Sequence, residues 1–143
     1  MTTPAEKLLT PDRCDALFAT DEGKRVLDAA VAEAMGWRRY EPGGHPDATF
    51  WRRGDDIYRE GINERTADPP PYASAAADAP DRWRWWGEMI EALVECAWAF
   101  GHSPDFGEWF GREGDNIVSS PSIARALIKA LAAAGKIKEP ENG

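Results

Sequence analysis

The stretch that decides the fold is Trp83–Phe100, WRWWGEMIEALVECAWAF. At the 100° per residue of an α-helix, its apolar side chains gather on one broad side and its charged side chains on the other. The apolar side holds Trp83, Trp86, Met89, Ile90, Leu93, Val94, Ala97 and Phe100, and the charged side holds Arg84, Glu88, Glu91 and Glu95. This recurrence predicts an amphipathic helix that starts after Asp81 and ends before Gly101.

The apolar side is wide because Trp85 and Trp98 lie near its two edges, roughly 140° apart. A helix this apolar needs more than one neighbour, such as a sheet beneath it and a second helix beside it. Most of these aromatic side chains are therefore predicted to be core. The alternative is that Trp85 or Trp98 lines a ligand pocket or an interface, where tryptophan is enriched.

The composition is that of one globular domain. At 143 residues, with 43% hydrophobic and 29% charged residues, the chain is long enough to bury a core. It has no apolar run that could cross a bilayer and no signal peptide, which predicts a cytoplasmic protein without a membrane partner. Cys14 and Cys96 fit no metal-ligand spacing and are predicted to be reduced thiols.

The chain is acidic, with a formal net charge of -8. Such a surface argues against direct binding of the DNA or RNA backbone, and it usually serves to keep a protein in solution. A sharper interpretation is an acidic face that docks on a basic protein partner. The seven tryptophans favour either a tight small core or a stacking site.

Capping and proline signals predict further helices on both sides of the central one. The predicted helices are Thr3–Leu9 after a capping box, a second start at Thr10-Pro11, Asp21–Met35 capped by Thr20 and closed by Gly36, and a last helix from Ser120-Pro121 to Gly135. We expect residues 1–19 to form a helical extension that packs against a domain of residues 20–135. Residues 136–143 are expected to form a frayed tail.

Between the helices, two runs of sequence are typical of β-hairpins. They are Thr49–Arg59, around the turn Arg53–Asp56, and Phe106–Val118, around the turn Glu113–Asn116. No internal repeat is evident. The order helix, hairpin, helix, hairpin, helix predicts an α+β fold, in which a small antiparallel sheet is layered with three main helices in an α/β/α sandwich-like arrangement.

Three stretches resemble the phage ABA sandwich domain family. They are Val26–Trp37, a helix that ends in Met-Gly-Trp; Pro70-Pro71-Tyr72, ahead of the tryptophan helix; and Ser120–Leu131, an alanine-rich closing helix. The resemblance spans about residues 20–135 and departs at Ala73–Asp81, where the family tends to place Ser-x-Asp and to enter the helix directly. It implies a small α/β/α layered domain of phage or prophage origin. The family has no settled activity, so the resemblance implies no catalytic residue.

The sequence contains no familiar catalytic motif, neither a glycine-rich phosphate loop nor a Gly-x-Ser-x-Gly elbow. A metal-dependent hydrolase would require the side chains of two separate loops to bind one metal ion. No short sequence spacing typical of metal ligands places those side chains together. The side chains in question are His45, Asp47, His102 and Asp105. We therefore predict a protein that is not an enzyme and that carries no cofactor and no metal, with the hydrolase as the third alternative.

Aromatic faces combined with arginines are what a nucleotide needs for base stacking and phosphate binding. The candidate ligand-binding residues are Trp51, Arg52, Tyr72, Trp85, Trp109 and Arg112. The alternative interpretation is that these aromatic residues belong to the core and that the arginines are solvated strand ends.

Together these features predict a non-enzymatic phage accessory protein in the cytoplasm of a bacterial host. It would counteract host defence by binding, either by sequestering a nucleotide signal or by blocking a defence protein. The alternative is a structural or assembly protein that forms a homo-oligomer through the exposed edges of its tryptophan-rich helix.

Overall fold

A computed structural model describes residues 8–40, 43, 49–58, 68–75 and 81–139. Its elements, in chain order, are α1 Pro11–Phe18, α2 Asp21–Ala34, β1 Arg38–Tyr40, β2 Phe50–Arg53, β3 Asp56–Tyr58, α3 Arg82–Glu95, β4 Ala99–Ser103, β5 Glu108–Glu113, β6 Asn116–Ser120 and α4 Ile123–Ala133. The predicted α+β class is confirmed. The strands form two antiparallel sheets, β1-β2-β3 and β4-β5-β6, in place of the single sheet that we expected. None of the helices in the described part of the chain is long and apolar enough to span a membrane.

Both predicted hairpins are confirmed. The strands β2 and β3 are joined at Gly54-Asp55, and β5 and β6 at Gly114-Asp115. The glycine of each turn has a positive φ, 60° at Gly54 and 58° at Gly114. A two-residue turn that needs positive φ at its first position is of type II′, which matches the twist of the paired strands.

The chain from α2 to β3 and the chain from α3 to β6 are two versions of one unit, a helix followed by three strands. Each helix is followed by a residue with positive φ, Gly36 at 98° or Ala97 at 62°. A buried tryptophan comes next, Trp37 or Trp98, and its amide donates to the carbonyl five residues earlier. This is the Schellman type of helix ending, and α4 ends in the same way, with Gly135 at φ 71°.

The strands of the two units also have the same register. Arg38 pairs with Arg52 in the first sheet, and Ala99 pairs with Arg112 in the second. Both Arg52 and Arg112 belong to an Arg-x-Gly-Asp segment and donate from Nε to the carbonyl of the turn glycine. The expectation of no internal repeat is therefore wrong. In the same register, two apolar residues recur in both hairpins: Phe50 corresponds to Phe110, and Ile57 to Ile117. The helices α2 and α3 share no such pattern.

The helix α4 lies at the centre of the molecule. It packs against α1, α3, β5 and β6. Its buried residues are Ala124, Ala126, Leu127, Ile128, Ala130, Leu131 and Ala132. The alanines allow close neighbours: a Cβ placed on Gly111 of β5 would lie only 3.1 Å from the Cβ of Ala130. The closing helix, more than the tryptophan helix, is thus the element that the others cover.

The tryptophan helix α3 is shorter than predicted. It ends at Glu95, because Ala97 adopts the left-handed conformation and Trp98 leads directly into β4. The predicted helical residues Trp98 to Phe100 therefore belong to the turn and the strand. Sequence periodicity missed this because the segment Ala97–Phe100 is as apolar as the helix before it.

The buried side of α3 is rotated toward Trp85 relative to the prediction. Trp85 is only 1% exposed, whereas Trp83 and Val94, which we placed on the apolar side, are 60% and 64% exposed. Trp85 turns inward because its ring packs edge-on against Tyr58 and Tyr72. Its indole N–H also donates to Asp81, whose side chain was expected to cap the helix but makes no capping hydrogen bond.

The predicted helix starts before α1 and α2 are confirmed. The hydroxyls of Thr10 and Thr20 accept hydrogen bonds from the backbone amides three residues later. The helix α4 starts two residues later than predicted, because its N-cap is Ser122 and not Ser120. The hydroxyl of Ser120 instead accepts a hydrogen bond from the Ser122 amide.

Both ends of the described chain pack on the domain. Leu8 forms a β-bridge with Lys138, and the Leu9 amide donates to the carbonyl of Ile137 at 3.1 Å. The prediction of a frayed tail over residues 136–143 is wrong for 136–139, because Ile137 is 1% exposed, and residues 140–143 lie outside the described part of the chain. The helix predicted over residues 3–9 lies mostly outside the described residues, and Leu8 is not helical.

Candidate functional site

The structure does not bring the six predicted ligand-binding residues together. Trp51, Tyr72 and Trp85 are buried; Arg52 and Arg112 are exposed on separate hairpins; and Trp109 is half-buried on β5. Of these, Tyr72 and Trp85 are direct neighbours, with ring centroids 5.1 Å apart. The alternative interpretation, core aromatics and solvated arginines, thus describes five of the six positions.

Tyr72 and Trp85 belong to a network that joins α3 to the first sheet. The Tyr72 hydroxyl donates to Glu88 Oε1 at 2.7 Å and accepts from Trp37 Nε1 at 3.0 Å. Arg53 reaches the same carboxylate with two hydrogen bonds, at 2.5 and 3.1 Å. Its guanidinium also lies 4.6 Å from the ring centroid of Trp37.

The charges of this network are internally balanced. Burial alone would raise the pKa of Glu88, but the hydrogen bonds from Arg53 and Tyr72 outweigh it and lower the pKa. Burial and the bond to Glu88 raise the pKa of Tyr72, which keeps its hydroxyl a donor. Because its donors and acceptors already satisfy one another, the network serves as a structural joint and not as a ligand site.

A second buried carboxylate, Asp28 of α2, holds the turn that follows Tyr72. It accepts hydrogen bonds from the amides of Ala73 and Ser74, at 2.6 and 3.0 Å, and from the Ser74 hydroxyl. Asp28 is only 3% exposed, and burial raises its pKa to about 6 despite these bonds. The turn is thereby fixed on α2, with its outer side facing a cavity.

That cavity is a cleft of about 570 Å³ at the N-terminus of α4. We call it the α4 cleft; it is lined by Phe18, Lys24, Ala73–Ala75, Trp86, Trp109 and Pro121–Arg125. Its volume lies within the range of small-molecule sites in proteins. Residues from all four helices, from β5 and from the Asp28-held turn contribute to it, so it exists only in the folded molecule.

Two indoles and the ring of Phe18 form the aromatic part of the α4 cleft. Trp109 is half-buried, stacks on Phe100 with ring centroids 5.8 Å apart, and lies 4.7 Å from the ring of His102. Trp86 is only 6% exposed, and its Nε1 is the one buried side-chain nitrogen or oxygen without a hydrogen-bond partner among the described residues. A buried N–H left without an acceptor is costly to the fold.

Two cationic side chains line the cleft together with these indoles. Lys24 and Arg125 line the cleft, and the Nε of Arg125 is held by Asp15 at 2.7 Å. The N-terminus of α4 carries a partial positive charge of about half an elementary charge. Ser122 caps this end by accepting from the Arg125 amide at 3.4 Å. The α4 cleft is thus lined by two cations and, within the described chain, by no carboxylate, although Asp15 pairs with Arg125 and Asp21 lies 4.0 Å from Lys24 just outside that lining.

A second cavity, of about 520 Å³, lies at the C-terminal ends of α2 and α4. Its described lining comprises Leu8, Ala30, Glu33, Ala34, Arg38 and residues 135–138. Arg38 already donates to the carbonyls of Glu33 and Trp37. Helix C-termini favour cations, and no aromatic ring lines this cavity within the described chain, so a planar anion fits the α4 cleft better.

No cluster of three potential metal ligands occurs among the residues that the structure describes. Two of the four side chains that we considered for a metal, His45 and Asp47, lie outside those residues. Arg59, at the end of the first predicted hairpin, does so as well.

Comparisons with protein-family models, with curated proteins and with solved structures gave no match. The resemblance to the phage ABA sandwich family therefore stays a prediction that rests on the sequence motifs.

Sequence reasoning found one member of the α4 cleft, Trp109, and missed Phe18, Lys24, Trp86 and Arg125. Trp86 was assigned to the core, and Lys24 and Arg125 carry no distinguishing local pattern. The one available signal was the Ser-Pro-Ser start of α4, since a helix N-terminus attracts anions.

Proposed function

We propose that this protein binds a nucleotide-type ligand, a planar ring that carries phosphate groups, in the α4 cleft and leaves it chemically unchanged. One observation carries this proposal: the cleft places the indoles of Trp109 and Trp86 beside Lys24, Arg125 and the N-terminus of α4. An indole face holds a base by stacking, and cations with a helix N-terminus hold a phosphate.

The biological role that we propose is that of a phage accessory protein in the bacterial host, of the ABA sandwich family. By holding a nucleotide signal it would lower the concentration of that signal and so counteract host defence. The motifs at Val26–Trp37 and Ser120–Leu131 support the phage origin, and the α4 cleft supports the ligand class.

The test is calorimetric titration of the purified protein with adenine and guanine mononucleotides and with cyclic dinucleotides. Inorganic phosphate and the free nucleosides serve as partial probes for the two halves of the cleft. We expect saturable binding of at least one nucleotide, and chromatography after heat denaturation should recover that nucleotide intact. Turnover of the ligand, or no binding by any member of the panel, would contradict the proposal.

Variants locate the binding in the cleft. Loss of a stacking indole in Trp109→Leu should weaken binding by about tenfold or more, since stacking contributes about 1–3 kcal/mol per base. Lys24→Glu should weaken the binding of phosphate-bearing probes more than that of nucleosides. The matched controls are Phe106→Leu, a ring that is 82% exposed at a turn, and Lys136→Glu; both should bind like the wild type.

A second candidate function is the blocking of a host defence protein, which the net charge of -8 favours because an acidic surface fits a basic partner. This version predicts a stable complex with a basic host protein on size exclusion. High salt should weaken that complex, whereas Trp109→Leu should leave it intact. Nucleotide binding that depends on Trp109 would favour the first candidate instead.

A further inference from the structure

The helix α3 exposes an apolar stripe that borders its buried side, where the ring of Trp83 packs edge-on against Trp86 with centroids 5.2 Å apart. At 100° per residue, Trp83, Gly87, Ile90 and Val94 fall within an arc of about 60°. Trp83 and Val94 are 60% and 64% exposed, and a Cβ built on Gly87 would meet no atom within 4 Å. Glycine in the middle of a helix costs stability, so its presence here is not explained by α3 itself.

Charged residues follow one flank of this stripe in a fixed order. Arg84 stands in the first turn, while Glu91 and Glu95 stand in the last two turns, all within about 40° of one another around the helix. The side chain of Arg84 is 49% exposed; its Nε lies 3.7 Å from Glu88 Oε2 and its guanidinium 4.5 Å from the ring centroid of Trp85, so its outer side remains open to a partner. The flank is therefore positive at the start of α3 and negative at its end.

A surface with this order of charges is complementary to itself when it is turned around. In an antiparallel pair related by a two-fold axis, a flank of one helix faces the same flank of the other with the direction reversed. Arg84 of one copy then faces Glu91 and Glu95 of the other. Trp83 meets Val94, and the axis passes close to Gly87, where the lack of a side chain lets the helices approach.

We propose that α3 is a homodimerisation surface, on which a second copy of this chain docks in antiparallel orientation across Gly87. Two features of α3 select a second copy over an unrelated partner: the reversal of charge along the flank and the position of Gly87 midway between Arg84 and Glu91. The surface adjoins the α4 cleft at Trp83, whose ring packs against Trp86, but the proposed dimer does not require nucleotide binding.

Analytical ultracentrifugation over a wide range of protein concentration tests the association. We expect a monomer–dimer equilibrium between one and two chains of 15.8 kDa. Val94→Arg puts a charged side chain into the apolar stripe and should weaken the dimer by at least about tenfold. The matched control is Ile117→Arg, at a position that is 63% exposed on β6, and it should associate like the wild type. A strict monomer, or equal effects of the two substitutions, would overturn the proposal.

Cross-linking tests the orientation in a Cys96→Ser background. Two copies of residue 95 should lie about 20 Å apart along the helix axis in the antiparallel dimer, because each residue adds about 1.5 Å. Glu95→Cys alone should therefore form no dimeric disulfide, whereas a mixture of Glu95→Cys and Arg84→Cys should form the mixed one. Rapid self-linking of Glu95→Cys would indicate parallel helices and overturn the antiparallel assignment.

Discussion

At the scale of single residues, removing the hydroxyl of Tyr72 tests whether this residue stabilises the fold or binds a ligand. Tyr72→Phe leaves the indole N–H of Trp37 buried without an acceptor and takes one donor from Glu88. We expect the free energy of unfolding, measured by urea denaturation, to fall by about 1–3 kcal/mol. Nucleotide affinity should not change, because Tyr72 does not line the α4 cleft. A folded variant with unaltered stability and weaker binding would restore the assignment made from sequence.

Asp28 makes stability depend on pH in the direction opposite to most carboxylates. Its pKa is about 6 in the folded state against a usual value of 3.8, so the folded protein binds the proton more tightly than the unfolded chain. The charged carboxylate therefore costs stability, and the cost develops as the pH rises from 3.8 to 6. Asp28→Asn removes this titration while it keeps an acceptor for the Ala73 amide.

The measurement is the difference in free energy of unfolding between Asp28→Asn and the wild type across that interval. We expect the variant to gain about 3 kcal/mol relative to the wild type as the pH rises, which is two pKa units at 1.36 kcal/mol each. A difference that does not change with pH would contradict the raised pKa. A change of opposite sign would mean that the three hydrogen bonds to Asp28 outweigh its burial.

At the scale of elements, the sequence predicts well those features that a few neighbouring residues determine, such as helix caps and tight turns. The threonine caps of α1 and α2 and the Gly-Asp turns of both hairpins were predicted, because a cap or a two-residue turn is specified within about four positions. The strands β1 and β4 were not predicted. Each of these strands is short. Each pairs with a strand later in the chain, β1 with β2 and β4 with β5, and no local sequence pattern encodes that pairing.

The end of α3 gives a prediction at this scale. Gly36 and Gly135 occupy the left-handed position after α2 and α4, with φ of 98° and 71°, whereas α3 has Ala97 there. An L-residue in that conformation costs about 1 kcal/mol that glycine avoids. Ala97→Gly should therefore raise the free energy of unfolding by about that amount, and Gly135→Ala, where a Cβ meets nothing within 4 Å, should lower it similarly. Denaturant titration of both variants measures this, and a destabilised Ala97→Gly would contradict the account.

At the scale of the whole molecule, the candidate site could not be predicted because no single segment contains it. Of the tryptophans predicted to bind a ligand, Trp109 lines the α4 cleft, whereas Trp51 and Trp85 are buried, because composition does not say which indoles the fold buries. Lys24 and Arg125 stand about a hundred positions apart in the chain. Their approach follows from the packing of α1 against both α2 and α4, a tertiary fact.

The two ends of the described chain contact each other beside α1, and this contact yields a prediction about the stability of the whole domain. Ile137 is buried, accepts the Leu9 amide through its carbonyl, and stands beside Glu139, which pairs with Arg13 of α1 at 2.8 Å. Ile137→Ala should lower the free energy of unfolding by about 2–5 kcal/mol, the cost of a cavity at a buried isoleucine. Lys136→Ala, at an exposed neighbour, is the control.

Native-state hydrogen exchange then decides whether these ends belong to the cooperative fold. If they do, the Leu9 amide exchanges only through global unfolding, and its protection falls in Ile137→Ala by as much as that of the amides in α4. If residues 8–9 and 136–139 formed an independent appendage, the Leu9 amide would exchange far faster than α4, and the substitution would leave α4 unchanged. We expect the first result for two reasons. The helix α1 packs directly on α4, and the two chain ends cannot separate from each other without exposing the buried side chain of Ile137.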